Sequence, residues 1–317
     1  MNEHINSDNG SAAHHGSGFA STMLADPSIQ VNEDRRRGRG AGLNPSGRFE
    51  LQSRHVFDDG WDSLESLEPF KTDVQVERTR TIITRNTSPD ISFDRSINPY
   101  RGCEHGCVYC YARPSHAYMG LSAGVDFESK LFAKPDAARQ LKREISKKGY
   151  MPKSIAIGTN TDPYQPIEKD MRIMRQVLEV LAEAKHPVGI ITKSALILCD
   201  LDILSLMARD GLVRVALSIT TIDRKLARAM EPRASSPSKR LEAMRTLSEA
   251  GIPTSVMVAP IIPGLNDFEI ECILDSAHNA GAQQAGYVLL RLPREVSPIF
   301  AIGCCAITQT ATVMSCR

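Results

Sequence analysis

The chain has almost no net charge: 38 Lys and Arg stand against 37 Asp and Glu, leaving +1 at neutral pH. A field that weak points to no partner through bulk electrostatics. The chain also has no long apolar run. Nothing approaches the roughly 18 consecutive apolar residues of a membrane-spanning helix, so no membrane association is expected. Its opening stretch, MNEHINSDNGSAAHHG, has no apolar core, and no secretory leader is expected there. Without a leader, the eight cysteines in 317 residues are not expected to form a disulfide framework. They suit a cytoplasmic metalloprotein better. No internal repeat is evident beyond an alternation of strands and helices.

That alternation begins near residue 150. KSIAIGTN, VGIITKS, VRVALSIT, PTSVMVAPII and AGYVLLRL read as strands that are apolar on both faces. Between them DMRIMRQVLEVLAEA, LCDLDILSLMARD, SSPSKRLEAMRTLSEAG and NDFEIECILDSAHNAG read as amphipathic helices. The pattern predicts a parallel sheet covered by helices. A strand leading into a cysteine-rich loop would bring the five visible strands to six. TRTIITRNT, 79–87, reads as a further strand, and WDSLESLEPF as a short helix. Polar residues collect at strand ends, where open α/β sheets and barrels place their ligands. Residues 1–55, rich in Gly, Ser, Asn, Asp and Arg, are expected to be a disordered tail. Within them Arg35, Arg36, Arg37 and Arg39 make a basic run. That run suits a solvated tail, a nucleic-acid contact or a strip covering the domain.

The cysteine-rich loop is NPYRGCEHGCVYCYARP. Cys103, Cys107 and Cys110 stand in it at C-x3-C-x2-C spacing. Three thiolates are one short of a closed tetrahedral site. Structural zinc would need a further ligand, for which His105 and His116 are near in sequence. Thiolates also favour iron–sulfur clusters, in which three cysteines hold three irons and leave the fourth open.

CEHGCVYC resembles the cluster loop of radical S-adenosylmethionine (SAM) enzymes, C-x3-C-x-aromatic-C, with Tyr109 as the aromatic residue. Together with DFESKLFAKPDAARQLKREI and GTNTDPYQPIE, the loop is similar to the spore photoproduct lyase-like group within that superfamily, over roughly 78–299. The resemblance is nearest to a bacterial branch of unestablished substrate. It implies a partial (β/α)6 TIM-like barrel over 56–299. It implies a 4Fe-4S cluster held by Cys103, Cys107 and Cys110, with S-adenosyl-L-methionine on the fourth iron. Reductive cleavage would then give a 5′-deoxyadenosyl radical that abstracts hydrogen from a substrate. The electron would come from a reductant such as flavodoxin or ferredoxin. The basic run favours a nucleic acid among the substrate classes left open. The alternative reading is a non-catalytic iron–sulfur or zinc-binding regulator, or an inactive remnant of the enzyme.

The resemblance also implies roles for single residues. Tyr109 packs near the adenine. Thr159, Thr161 and Asp162, after the strand KSIAIG, are candidates for the methionine amino group, although Asp162 also fits the cap of an Asp-Pro turn. Ser218, favoured over Thr220, lies where the ribose or carboxylate is met. Arg233 is a candidate partner for the carboxylate, and Lys193 for an anionic substrate. Beyond SPIF the residues 300–317 are expected to be aberrant. Back-translated and read one base out of phase, this tail gives an amphipathic helical pattern resembling how the group continues. On that view Cys304, Cys305 and Cys316 are products of a shifted frame.

Overall fold

Short β-branched runs build two sheets. The computed structural model describes residues 29–36, 38–50, 69–89, 91 and 93–304. Its strands are β1 (Asp73–Val76), β2 (Ile83–Arg85), β3 (Arg95–Ile97), β4 (Tyr100–Arg101), β5 (Lys130–Ala133), β6 (Ile155–Ile157), β7 (Val188–Thr192), β8 (Val213–Ser218), β9 (Thr254–Ile261) and β10 (Gln284–Leu289). The large sheet has the order β10-β9-β8-β7-β6-β3-β2. Every neighbouring pair from β3 to β10 in it is parallel. β2 closes one edge antiparallel to β3. The six parallel strands are those expected, and β3 is the strand ahead of the cysteine loop. A small sheet, β1-β5-β4, carries that loop at the end of β4.

The helices between the strands and around them include α1 (Val125–Ser129), α2 (Ala137–Ile145), α3 (Ile173–Glu183), α4 (Leu201–Arg209), α5 (Arg224–Met230), α6 (Pro237–Glu249) and α7 (Ile270–Asn279), with single turns at Glu33–Arg36 and Glu168–Met171. Side chains set several starts. Asp223 accepts from the amides of Lys225 and Leu226 to begin α5, and Ser236 accepts from Lys239 to begin α6. The single helix expected over DMRIMRQVLEVLAEA is broken at Arg172, whose φ is 49°. A left-handed residue costs about 1 kcal/mol. The break lets Glu168 turn its carboxylate onto the amides of Ile173 and Met174, at 3.2 and 2.8 Å.

Alternate residues of a strand face opposite sides of the sheet. Ile157, Ile190, Val215, Leu217, Val256 and Val258 are 0–2% exposed in the core. The residues between them, Ala156, Gly189, Ala216 and Ser255, are small and only half-buried. They leave a cavity of about 450 Å³, also lined by Lys153, Ile191 and Arg214. A closed eight-stranded barrel fills the same space with branched side chains.

The expectation of a disordered tail over 1–55 does not hold for the strip at 38–44. Ala41 and Leu43 are fully buried there. A Cβ on Gly124 would stand 2.0 Å from the Leu43 carbonyl oxygen. The boundary at 55 and most of WDSLESLEPF lie outside the described residues. At the other end 296–304 is helical, across the point where an aberrant tail is expected, and Cys305 and Cys316 lie outside the described residues. No helix among the described residues is long and apolar enough to cross a membrane.

Candidate cluster-binding site

The loop after β4 turns on two glycines in the left-handed region, Gly102 at φ 76° and Gly106 at φ 70°. The Cys103 amide donates to the Phe127 carbonyl at 3.0 Å, and the Cys110 amide to the Cys107 carbonyl at 3.3 Å. Arg113, wholly buried, places the middle of the loop. Its guanidinium donates to the Cys107 carbonyl at 3.0 and 2.8 Å and to the carbonyls of Ala123 and Gly124. It also pairs with the buried Glu128 at 2.5 Å. Gln165 ties the loop to the β6 rim by accepting from Glu104 N–H and donating to the Gly102 carbonyl.

Cys103 and Cys107 are buried and Cys110 is half-buried, and all three are free thiols. Burial pushes all three thiols up, and neighbouring charges bear on each. Lys193 pulls against that rise at Cys107 and Cys110, and Arg113 does so at Cys110. Metal loading would expel three protons and put negative charge beside those cations. Among the described residues no three His, Cys, Asp or Glu groups converge on a single ion. A tetrahedral zinc would draw its thiolates to about 3.8 Å apart, given sulfurs about 2.3 Å from the metal. Thiolates that each hold a separate iron of one cluster stand wider. His116 is engaged with the Lys130 carbonyl at 2.9 Å, and His105 faces Asp162 at 3.4 Å. Three thiols on one loop fit a group held by three cysteines.

The opposite wall comes from the ends of β7 and β8. The Lys193 ammonium donates to Ser218 Oγ at 2.7 Å, Thr220 Oγ1 at 3.3 Å and the Ala259 carbonyl at 3.1 Å. It stands 3.2 Å from the Glu231 carboxylate and 5.7 Å from the centre of the Tyr109 ring. Glu231 also accepts from Tyr109, from Thr220 at 2.6 Å and from the buried Arg240. Burial alone would raise the Glu231 carboxyl. Arg240 and Lys193 outweigh it and hold the group well below the usual carboxylate range. Arg240 also donates to the carbonyls of Ser218 and Ser235, at 2.8 and 2.7 Å. Sequence reasoning did not find Glu231 or Arg240. Glu231 stands two residues ahead of Arg233 in EPRASSP, while Arg240 lies in a helical pattern like any surface arginine.

The residues expected at the site divide into three groups. Tyr109 and Ser218 share the Lys193 network. Thr159, Thr161 and Asp162 fasten the β6 rim: Thr159 accepts at its carbonyl from Tyr111, and Thr161 donates to the Tyr100 carbonyl at 2.9 Å. The Asp162 carboxylate accepts from Thr192 and the Lys193 amide, both at 2.7 Å, and from the Tyr164 amide at 2.9 Å. Burial pushes its pKa up, and His105 with these donors holds it below the usual range. Asp162 thus caps the Asp-Pro turn. Arg233 is turned to the loop, donating to Glu104 at 3.0 Å through its side chain and to the His105 carbonyl through its amide.

A family model described as the Radical SAM superfamily matches residues 97–277. An uncharacterized protein of Mycobacterium tuberculosis is 36% identical over 177 residues, covering 56% of this chain and 52% of that one. Another, from Methanocaldococcus jannaschii, is 34% identical over 176 residues, covering 55% and 62%. The match thus spans about half the length of the mycobacterial relative. Among solved structures, a spore photoproduct lyase mutant with bound AdoMet and dinucleoside spore photoproduct superposes with a TM-score of 0.54. It is 18% identical, over 73% of this chain and 65% of that one. At that identity the likeness is one of fold.

Proposed function

The chain belongs to the radical SAM superfamily, and from that premise we propose that Cys103, Cys107 and Cys110 hold three irons of a 4Fe-4S cluster whose fourth iron takes S-adenosyl-L-methionine. With both bound and one electron delivered by a flavodoxin or ferredoxin, the pair supplies a 5′-deoxyadenosyl radical for hydrogen abstraction from a substrate. The chain's own residues bind and orient. Lys193 takes the methionine carboxylate, because its ammonium lies 5.7 Å from the centre of the Tyr109 ring, and Tyr109 is the chain neighbour of Cys110. Ser218 and Glu231 hold that ammonium in place, and Arg240 keeps Glu231 ionised so that it can do so. Tyr109, fixed at its hydroxyl by Glu231 and Thr220, covers the adenine side. Thr159 and Thr161 shape the rim near the amino group, and Asp162 supports it through the Lys193 amide. Arg233, paired with Glu104 as Lys193 is with Glu231, stays a second candidate for the carboxylate. The cavity lined by Ala156, Gly189, Ala216 and Arg214 lies toward the N-terminal ends of the strands, and the substrate meets the radical at the other end of that lumen, beside Lys193. Its class is not drawn from the basic run, because Arg39 is buried and Arg35 lies over the Phe70 ring.

One observation carries the reading. Two buried thiols and a half-buried third share one loop, with a lysine from the end of a parallel strand over the neighbouring Tyr109 ring. A non-catalytic regulator would have no use for that lysine. The test is anaerobic loading with iron and sulfide, then chemical reduction in the presence of S-adenosyl-L-methionine. A brown chromophore and release of 5′-deoxyadenosine are expected. One zinc per chain with no chromophore overturns the reading.

A further inference from the structure

We propose that residues 39–43 are a positioning clamp on the cysteine loop, with Arg39 and Gly40 fixing Cys103 and Cys107 and shielding them from water and dioxygen. The proposal rests on the cluster-binding reading of that loop. The strip grips it at three places. The first grip is on Glu104, the neighbour of Cys103. Arg39, 4% exposed, donates to Thr72 Oγ1 at 2.8 Å, and Thr72 donates to the Glu104 carboxylate at 2.5 Å. Arg39 itself stands 3.9 Å from that carboxylate.

The second grip runs through Glu128. The amides of Gly40 and Ala41 donate to its two oxygens, each at 2.8 Å. The same carboxylate pairs with Arg113, whose guanidinium holds the Cys107 carbonyl. One fully buried acid thus links the strip's backbone to the backbone of a cluster cysteine. Removing the strip would leave that acid with two unfilled acceptor positions in a dry site, which is costly.

The third grip is direct contact of two glycines. A Cβ on Gly40 would stand 1.8 Å from the Gly106 carbonyl oxygen. A Cβ on Gly106 would stand 2.9 Å from a Glu128 oxygen and 3.1 Å from the Gly40 nitrogen. Any side chain at either position lifts the strip from the loop.

The test begins with the metal-free chain under argon. Iodoacetamide labelling is followed cysteine by cysteine by peptide mass spectrometry. Cys103 and Cys107 should label about tenfold faster in Gly40→Ala and in Arg39→Gln than in the unaltered chain, because opening the strip exposes their thiols. The exposed Cys199 and Cys272 are internal references and should keep their rates. Arg39→Gln adds no bulk and preserves the test where Gly40→Ala fails to fold. After loading with iron and sulfide, the g-values of the reduced cluster should move in Arg39→Gln and return in Arg39→Lys, which a merely structural role would not produce. Equal labelling of Cys103 and Cys107 in all the proteins overturns the clamp. A labelling contrast in a chain that takes up no cluster overturns the cluster reading instead.

Discussion

The large sheet has two faces built from the same strands, and they are packed by opposite rules. Beneath the helices Ile157, Ile190, Val215 and Leu217 are branched and at most 1% exposed. Between them, facing the lumen, stand Ala156, Gly189 and Ala216. By the same alternation Arg214 lies at one end of the β8 lumen face and Ser218, bonded to Lys193, at the other. Four residues of strand separate them, about 13 Å at the rise of a parallel strand. Each methylene left out of the lumen forgoes about 0.8 kcal/mol of burial. The covered face therefore carries stability, while the lumen face gives up packing and keeps room and polar groups at its rim.

The strongest test of that division is on the covered face. Leu217→Ala should cost about 3 kcal/mol, as truncation of a fully buried leucine does. Urea unfolding would show it, and the loss should come without any change in S-adenosyl-L-methionine affinity. A similar loss in affinity would break the division. The covered side also holds an ionisable exception. Burial pushes the Glu168 carboxyl up to about 7 despite its bonds to Tyr100 and two amides. Between the ordinary glutamate value of 4.5 and about 7 the folded chain keeps a proton that the unfolded chain has released. Stability present below that window is lost as pH rises through it, by up to about 3 kcal/mol. Denaturant titrations at pH 4.5 and 7.5 should show the fall, and Glu168→Gln should flatten it.

On the lumen face the sign of the result reverses. Lys193→Gln should weaken S-adenosyl-L-methionine binding about thirtyfold, or about 2 kcal/mol. Calorimetry on the reconstituted protein would measure it, and urea unfolding would show a loss beside it, limited because Glu231 keeps Arg240 as a partner. The smallest effect belongs to Arg214→Ala. The Arg214 side chain makes no hydrogen bond or ion pair with the described residues, and its loss should change stability by at most about 0.5 kcal/mol. A larger change in urea unfolding would mean that the lumen contributes to the core after all.

The covered face is also the part that the sequence makes legible. Runs such as VGIITKS and VRVALSIT announce buried parallel strands, because period and β-branching are local properties. The spacing of Cys103, Cys107 and Cys110 is local too. What escaped notice is assembled from distant pieces or hidden by composition. Lys193, Glu231 and Arg240 meet only after three strand–helix units have closed. α5 is seven residues long, too short to show a helical period. The RGRGAG stretch reads as a disordered tail, because glycine chosen for close approach looks the same as glycine in a linker. Arg172 gives no sign in advance that it will take a left-handed conformation.

The clamp on the cysteine loop has a consequence for the order in which the protein is made. Its bonds from Arg39, Gly40 and Ala41 to Glu128 span 87 to 89 residues, and every partner precedes β6. A ribosome delivers Glu128 before any of the strands that bring Lys193, Ser218 and Glu231. The part of the molecule that carries the cysteine loop can begin to close while the half proposed to bind the S-adenosyl-L-methionine carboxylate is still unsynthesised. The later segments then meet a loop already gripped from one side, and Gln165, Met230 and Arg233 complete its placement.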